Sequence, residues 1–493
     1  MVLLQFGLLM VLLSYVCSDD PIVEVNTGKL VGKSVEFSHE DVNVNRTLHV
    51  FTGIPYAEPP VGDLRFRPPQ PKAPWPGIYN ATDIGFACIQ QNTAYPFQEP
   101  QSEDCLYLNV YSPLTNSTNL PVMVWIHGGG FSIGSATNDG LYDGTALAAI
   151  GDVIVVSLNY RLFALGFFST GDENAPGNYG LLDQLAALKW VQDNIAAFGG
   201  DADRVTVFGE SAGAISVDYL LLSPMSAGLF HRAILQSGTT SIAGGPRDDG
   251  EMLSRLAHGV GQLLGCNEKN SQDLVQCLRS VPLEHFKEKL DQRQLATIPG
   301  IDPGILALPF APTVDGQFIT AKPDDLLSQE GFNKTNVDIL IGTNANEGTM
   351  SLATLLPSLA VASEPTVSKA EYEQMYLLLI YGSFKNNPTA QDAIQLMYIP
   401  WAEVAANDTN YADAYIEMQG DYMFVCPADK SARAYSNSGA NVYMYHMTHE
   451  RPISCLGSSG RRLDTAKNFL LYLERISMHF QIGDWPRGSQ HIS

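Results

Sequence analysis

The residues with the clearest chemistry lie in the pentapeptide Gly209–Gly213, which has the pattern Gly-x-Ser-x-Gly with Ser211 at its centre. The β-rich run Arg204–Phe208 precedes it, and an apolar, helix-like stretch follows it. Between a strand and a helix this pattern is typical of a nucleophile elbow, a turn too sharp for side chains at its two glycines. Such a turn exposes the serine hydroxyl and leaves the N–H of Ala212 free to bind an oxyanion. The alternative is a tight strand-to-helix turn that needs small residues for steric reasons alone.

A second motif, His-Gly-Gly-Gly-Phe at 127–131, follows the apolar run Leu120–Ile126. Three consecutive glycines at a strand end leave backbone N–H groups unshielded, which suits the stabilisation of a developing alkoxide. Considered without the other motif, the three glycines could equally form a flexible surface loop. Upstream of a Gly-x-Ser-x-Gly pattern, however, this run fits the oxyanion hole of lipases and esterases. We interpret His127 as structural, and the two motifs together predict a serine hydrolase.

Five further blocks accompany the two motifs, and they are Gly53–Ala57, Leu64–Phe66, Glu103–Val110, Asn159–Arg161 and Gln236–Gly238. With them the chain resembles the type-B carboxylesterases and cholinesterases, from about Val23 to about His449. The resemblance implies an α/β-hydrolase fold with a mostly parallel twisted central sheet, helices on both faces and an incomplete C-terminal part. It also implies Ser211 as nucleophile and the N–H groups of Gly129, Gly130 and Ala212 as oxyanion donors.

A candidate for the acid of a catalytic triad is Glu347, just past the buried, strand-like run Val337–Gly342. A carboxylate at a strand end can orient an imidazole and stabilise its charge without accepting the proton. The order serine then glutamate is the order of α/β-hydrolases, and the Glu347-Gly348 pair matches the family. Without the resemblance, Glu347 is an ordinary loop carboxylate.

The catalytic histidine is where the sequence departs from the family. The family places it in a loop beyond the strand at 441–445, and in this chain that loop falls near Asp464 and contains no histidine. His446 and His449 are interpreted as structural because they lie on or just beyond that strand. His479 and His491 belong to a tail without resemblance, and of the two we consider only His479 as a base.

The boundaries predicted along the chain are a signal peptide at 1–18, a type-B carboxylesterase domain at 19–455 and a divergent tail at 456–493. Our hypothesis is that the tail arises from alternative splicing, a frameshift or a gene-sequence error near Cys455. Without a base, a serine is a poor nucleophile at neutral pH. We therefore expect feeble hydrolysis of small activated esters by the chain as written.

The seven cysteines include Cys17 in the leader. The resemblance implies two disulfides, Cys88–Cys105 and Cys266–Cys277. Cys426 matches a third family cysteine, and Cys455 is either a stand-in for its partner or an unpaired thiol. No Cys-x-x-Cys or His-Glu-x-x-His pattern indicates a metal, and no cofactor is predicted.

The start of the chain predicts its compartment. Val2–Val16 is apolar for nearly its whole length and is followed by Ser18 before acidic residues, as in a secretory signal. Sequons that fit an exported glycoprotein occur at Asn45, Asn80, Asn116, Asn333 and Asn407. No later stretch is apolar enough to span a bilayer. We expect a secreted or secretory-lumen protein.

Composition is that of a large enzyme, with 493 residues of which 45% are hydrophobic. A net charge of −23 argues against a nucleic-acid partner, which would be repelled.

Strands are predicted at 152–159, 204–208, 232–236 and 337–342. A helix is predicted at Asp183–Phe198, ended by Gly199-Gly200.

The expected substrate is a small uncharged carboxylic ester. Cholinesterases place a Trp between the cysteines of the first disulfide, where it binds a quaternary ammonium. The sixteen residues between Cys88 and Cys105 contain Tyr95 and Phe97 but no Trp. The alternatives are an inactive cholinesterase-like binding or adhesion protein, which the missing histidine favours, and a non-functional truncated isoform.

Overall fold

A computed structural model describes residues 20–40, 42–90, 99–242, 245–299, 310–328, 337–355, 366–377, 384, 387–399, 401, 409–448 and 491–492. The strands of this part are β1 (Ile22–Val25), β2 (Gly28–Val31), β3 (Lys33–His39), β4 (Val44–Pro55), β5 (Ile78–Asn80), β6 (Ala87–Cys88), β7 (Gln101–Ser102), β8 (Tyr107–Pro113), β9 (Leu120–Ile126), β10 (Ile154–Leu158), β11 (Gly200–Glu210), β12 (Arg232–Gln236), β13 (Asp338–Asn344), β14 (Asn441–Met447) and β15 (His491–Ile492).

A ten-stranded sheet organises the molecule, in the order β15-β14-β13-β12-β11-β9-β10-β8-β4-β3. The strands from β10 to β15 pair in parallel, whereas β10–β8, β8–β4 and β4–β3 pair antiparallel. The smaller sheets are β1-β2-β5 and β6-β7. The prediction of an α/β fold with a mostly parallel sheet is therefore confirmed.

The helices are α1 (Thr145–Gly151), α2 (Phe163–Phe167), α3 (Tyr179–Asn194), α4 (Ala212–Leu222), α5 (Gly250–Leu264), α6 (Ser271–Ser280), α7 (Leu283–Lys289), α8 (Gln292–Leu295), α9 (Pro323–Ser328), α10 (Thr349–Leu355), α11 (Lys369–Tyr376), α12 (Pro388–Tyr398), α13 (Ala412–Gly420) and α14 (Cys426–Asn437). A π-helical turn, Asp421–Val425, joins α13 to α14.

Helices cover both faces of the central strands, and the alternation of side chains along each strand separates the two layers. On one face Val124, Val207 and Leu235 are buried in a large core that also contains α3 and α4. On the other face Trp125 and Phe208 are buried in a smaller core that also contains residues of α1. Because both faces of β9 are covered, this strand is a nearly continuous apolar run rather than an alternating one.

Four of the five predicted elements differ in extent from the structure. The strand predicted at 152–159 is Ile154–Leu158, and the one predicted at 337–342 is Asp338–Asn344. The helix predicted from Asp183 is α3, and it begins earlier, at Tyr179. Asn178 at its N-cap has a left-handed φ of 60° that ends the preceding loop. Its last predicted turn is a 3-10 helix, Ile195–Phe198, and Gly199 ends it with a φ of 87°. Strand β11 is longer than predicted because Gly200 pairs with Leu120 across an irregularity in the register.

The structure contains both disulfides that the resemblance implies. Cys88 and Cys105 have Cα atoms 5.0 Å apart, and those of Cys266 and Cys277 are 5.8 Å apart. Each closes a short loop and stabilises the fold by about 2–4 kcal/mol. Cys426 is exposed and free of a disulfide within the described part of the chain, whereas Cys455 lies outside it.

Candidate active site

Ser211 lies in the turn between β11 and α4, with a left-handed φ of 54° and a ψ of −122°. Its N–H donates to the Gln236 carbonyl at 2.9 Å, which attaches the turn to the end of β12. The residue is half-buried, and its hydroxyl does not cap the helix that it precedes. A serine with a strained backbone at a strand end, whose hydroxyl does not cap the helix that follows, has the geometry that a nucleophile elbow requires.

The small residues of the elbow are needed for steric reasons. A Cβ at Gly209 would lie 2.6 Å from the Gly213 carbonyl carbon and 2.7 Å from the Ile126 carbonyl oxygen. A Cβ at Gly213 would overlap the same Ile126 oxygen and lie 2.9 Å from the His127 carbonyl carbon. The close approach of α4 to the end of β9 therefore excludes any side chain at either position.

The glycine run lies directly against Ser211. A Cβ on Gly128 would lie 3.2 Å from the Ser211 Cβ. Gly129 and Gly130 have φ values of 105° and 60°, which favour glycine. The Gly129 carbonyl accepts from the N–H groups of Ser132 and Ile133, each at 3.1 Å. The run is thus a fixed turn beside the serine rather than a flexible surface loop.

Ala212 supplies a further backbone donor because it is the first residue of α4. The first N–H groups of an α-helix have no partner within the helix, and they carry the positive end of its dipole. Ala212 is 1% exposed. The predicted oxyanion donors Gly129, Gly130 and Ala212 therefore belong to the two turns that meet at Ser211.

The carboxylate of Glu347, just after β13, is held by two hydrogen bonds. Its Oε1 accepts from the Ser237 hydroxyl at 2.5 Å and from the Asn344 N–H at 2.8 Å. Gly348 must be a glycine because a Cβ there would overlap the Ile416 carbonyl oxygen of α13. These contacts orient the half-buried Glu347 carboxylate. It lies after the carboxyl end of β13, in the sheet in which Ser211 follows the carboxyl end of β11.

Ser237 is a residue whose role the sequence reasoning missed, although it is part of the block at 236–238. It follows β12 directly, has a φ of 54° and is 6% exposed. Its N–H donates to the Gly342 carbonyl at 2.8 Å. A serine directly after a predicted parallel strand, as Ser211 is, was the signal available in the sequence.

Glu210 is a second missed residue: it belongs to the elbow, directly before Ser211, and its side chain lies against the glycine run. Its Oε2 lies 2.6 Å from the position that a Cβ on Gly128 would occupy. Burial, together with the negative charge of Glu347, raises the pKa of Glu210 to about 7. Near neutral pH this carboxyl is therefore divided between its neutral and charged forms.

The histidines are distributed unevenly around the site. His446, on β14, is exposed, and its Nδ1 lies 3.2 Å from the Thr343 hydroxyl. His127 is 1% exposed beside the glycine run. His449 and His479 lie outside the described residues, as does the loop near 464. Within the described part, no imidazole is hydrogen-bonded to the side chain of Ser211 or Glu347.

The described residues contain one group of metal-ligand type, Cys266, Glu268 and Cys277. Both of its sulfur atoms belong to a disulfide, so neither is a thiolate that could bind a metal ion.

The predicted glycosylation sites Asn45, Asn80 and Asn116 are exposed, whereas Asn333, Asn407 and the predicted signal peptide 1–18 lie outside the described part. None of the helices that the structure describes has the length and apolar character needed to cross a bilayer.

Comparison with known proteins identifies the family. A family model described as the carboxylesterase family matches residues 19–461. A cholinesterase of Mus musculus is 37% identical over 442 residues, which cover 87% of this chain and 70% of that protein. Carboxylesterase 5A of Felis catus is 38% identical over 455 residues, with 90% and 77% covered. A cocaine esterase of Oryctolagus cuniculus is 39% identical over 448 residues, with 88% and 77% covered. The chain therefore belongs to the carboxylesterase family, whose members are carboxylic ester hydrolases with the α/β-hydrolase fold.

Proposed function

We propose that this protein hydrolyses small uncharged carboxylic esters through an acyl-enzyme formed on Ser211. The observation that carries the proposal is the strained, half-buried Ser211 at the end of β11, with the glycine run against its Cβ. The Ser211 oxygen attacks the ester carbonyl carbon, and its proton passes to a general base. The carbonyl oxygen becomes an oxyanion held by the N–H groups of Gly129, Gly130 and Ala212.

Collapse of this tetrahedral species breaks the bond to the alcohol oxygen, which takes the proton from the base and leaves. Water then attacks the acyl-enzyme by the same route and releases the acid and Ser211. Where the base is a histidine, the Glu347 carboxylate would orient it and stabilise the imidazolium that forms in each half-reaction. The hydroxyl of Ser237, at 2.5 Å, holds the Glu347 carboxylate in place.

An uncharged ester is supported by the state of Glu210. Because its pKa lies at about 7, a substantial part of the protein carries no charge on this carboxyl at neutral pH. A neutral carboxyl attracts a quaternary ammonium group less strongly than a carboxylate does. The loop between Cys88 and Cys105 contains no Trp to supply a cation–π contact.

The general base is tested by substitution. We propose weak turnover, because the loop near Asp464 contains no histidine. The variants His446→Ala, His449→Ala and His479→Ala are compared on 4-nitrophenyl acetate. Loss of turnover in His479→Ala alone would show that the tail supplies the base, and robust turnover in every variant would contradict the proposal of an impaired base.

The nucleophile is tested with a fluorophosphonate probe, which labels activated serines. We expect labelling of the full chain that is lost in Ser211→Ala and kept in Ser280→Ala, an exposed serine at the end of α6. Mapping of the labelled peptide to a serine other than Ser211 would disprove the assignment.

Secretion and glycosylation are tested by N-terminal sequencing and by glycosidase digestion of the protein from the medium of expressing cells.

A further inference from the structure

We propose that His127 is a positioning residue, which holds the Gly128–Gly129 peptide so that the Gly129 N–H faces Ser211. The imidazole Nδ1 lies 2.8 Å from the Gly128 carbonyl oxygen, and the residue is 1% exposed. The inference deepens the proposed function and rests on it, because it assigns His127 a role through the Gly129 oxyanion donor. It replaces the interpretation of His127 as structural only.

The hydrogen bond determines the tautomer of the ring. A carbonyl oxygen can only accept, so the Nδ1 of His127 must carry the proton that it donates to Gly128. Nε2 is buried and has no hydrogen-bond partner in the described part of the chain. Burial also lowers the pKa of His127 to about 4, so the ring is neutral under physiological conditions and donates only from Nδ1.

Peptide geometry carries the effect from the ring to the oxyanion donor. The described residues contain no cis peptide bond, and in a trans peptide the C=O and N–H groups point in opposite directions. When the ring of His127 holds the Gly128 carbonyl, the Gly129 N–H of the same peptide must point away from the ring. Ser211 lies beside the same run, 3.2 Å from the place of a Cβ on Gly128, and we infer that it is the group that the Gly129 N–H faces.

The imidazole is held in this orientation by its surroundings. The Tyr160 ring stacks on it at a centroid distance of 4.4 Å and an interplanar angle of 22°. The Tyr160 hydroxyl donates to the His127 carbonyl at 2.9 Å. Gly134, with a φ of 114°, packs against Nδ1 so closely that a Cβ there would overlap it. Gln90 fixes Gly134 by two hydrogen bonds, at 2.8 and 2.9 Å.

The two donors of the glycine run are held by different means. The Gly129 carbonyl accepts from the backbone N–H groups of Ser132 and Ile133, so the Gly130 N–H of that peptide is oriented by main chain alone. The Gly128 carbonyl is held by the His127 side chain. Substitution of His127 can therefore release one oxyanion donor while the other keeps its support.

Two substitutions separate hydrogen bonding from packing. His127→Phe keeps a flat ring that can stack on Tyr160 but removes the donor. His127→Asn loses the ring but keeps an N–H at the position of Nδ1. If the Phe variant does not fold, His127→Gln takes its place, because its amide extends past that position. Tyr160→Phe is the matched control, since it removes a neighbouring buried hydrogen bond and leaves the Nδ1 donor.

The probe is an aryl trifluoromethyl ketone, which forms a hemiketal oxyanion with an active serine, compared with the secondary alcohol of the same shape, which forms no adduct. For the full-length His127→Phe variant we expect ketone binding about 10- to 100-fold weaker and alcohol binding unchanged within about twofold. His127→Asn should restore most of the ketone affinity. Tyr160→Phe should have a smaller effect than His127→Phe.

Three results would overturn the inference. A folded His127→Phe variant with the ketone affinity of the original chain shows that the donor is not needed. Equal losses for ketone and alcohol show a structural role without selectivity for the oxyanion. Ketone binding that survives Ser211→Ala overturns the proposed nucleophile itself, and it is distinguished from the first two results because it does not depend on His127.

Discussion

Ser211 and Ser237 occupy matching positions on neighbouring parallel strands, yet their hydroxyls differ in use. Each follows its strand directly and has a φ of 54°. Each also donates its N–H across to the next strand end, Ser211 to Gln236 and Ser237 to Gly342. Ser211 is half-buried with a hydroxyl that does not cap α4, whereas Ser237 is buried and its hydroxyl donates to Glu347. The same strained turn therefore presents the proposed nucleophile at one strand and a supporting hydroxyl at the next.

The surroundings of the two serines also differ in kind. Near Ser211, the backbone approaches so closely that Gly209 and Gly213 admit no Cβ. Near Ser237, the geometry depends on hydrogen bonds to a carboxylate, which are sensitive to charge. The geometry around Ser211 is thus determined by steric fit, and that around Ser237 by electrostatics. Substitutions should affect the two regions by different routes.

The largest expected effect separates the two hydroxyls. Ser211→Ala should remove fluorophosphonate labelling and lower ester turnover roughly a thousandfold or more, since no nucleophile remains. Ser237→Ala should slow labelling only about 10- to 100-fold, because it removes one hydrogen bond to a charged group. Labelling rates and 4-nitrophenyl acetate turnover are measured side by side. Equal losses in the two variants would contradict the different roles assigned to them.

The next effect concerns the carboxylate that Ser237 supports. If a histidine of the chain serves as the base, Glu347→Gln should slow labelling of Ser211 about a thousandfold to ten-thousandfold, because the amide cannot stabilise an imidazolium. Without such a base, the substitution should change the labelling rate little. Adding Ser237→Ala to this variant should have little further effect, since the hydroxyl acts through the carboxylate. Full additivity in this double-mutant cycle would show that Ser237 acts independently of Glu347.

The steric region should respond through stability. Gly213→Ala should lower the free energy of unfolding by about 3–5 kcal/mol, because its Cβ would overlap the Ile126 carbonyl and something must shift. The matched control is Gly250→Ala at the start of α5, where a Cβ would lie 3.4 Å from the Gly171 carbonyl oxygen, an ordinary contact distance. Urea denaturation measures both variants, and similar stability of the two would contradict the steric interpretation.

The smallest effect is a pH dependence of stability at Glu210. Its pKa rises from the ordinary value of 4.5 to about 7 in the fold, so the folded state binds more protons than the unfolded state between these values. The free energy of unfolding should therefore fall as pH rises from 4.5 to 7. Because Glu210 is partly exposed, we expect about 1–2 kcal/mol.

The control for this prediction is Glu210→Gln, which keeps the shape without the titration. His127, whose pKa is lowered from 6.5 to about 4, contributes in the opposite direction between these two values, so the raw curve of the original chain combines both groups. The difference between the original chain and Glu210→Gln isolates the carboxyl. A difference that does not vary with pH would show that the pKa of Glu210 is not raised.

Local patterns in the sequence predicted the elements that carry the site. The apolar run at 232–236 is a strand with those bounds, and Gly199 ends the predicted helix with a left-handed φ. These predictions succeeded because strand burial and helix termination depend on residues that are adjacent in the chain. The bounds of β11 were wrong because its first pair, Gly200 with Leu120, joins distant residues.

The sequence by itself indicated Ser211 and the family, and through that resemblance the mostly parallel α/β architecture, both disulfides and Glu347. Only the tertiary structure decided that Ser237 supports Glu347 across 110 residues of chain, that burial, together with the charge of Glu347, raises the pKa of Glu210, and that the His127 ring holds the Gly128 carbonyl. Motifs record residues that must be neighbours along the chain. Hydrogen bonds between strand ends, and the burial that shifts a pKa, exist only when the sheet brings those ends together.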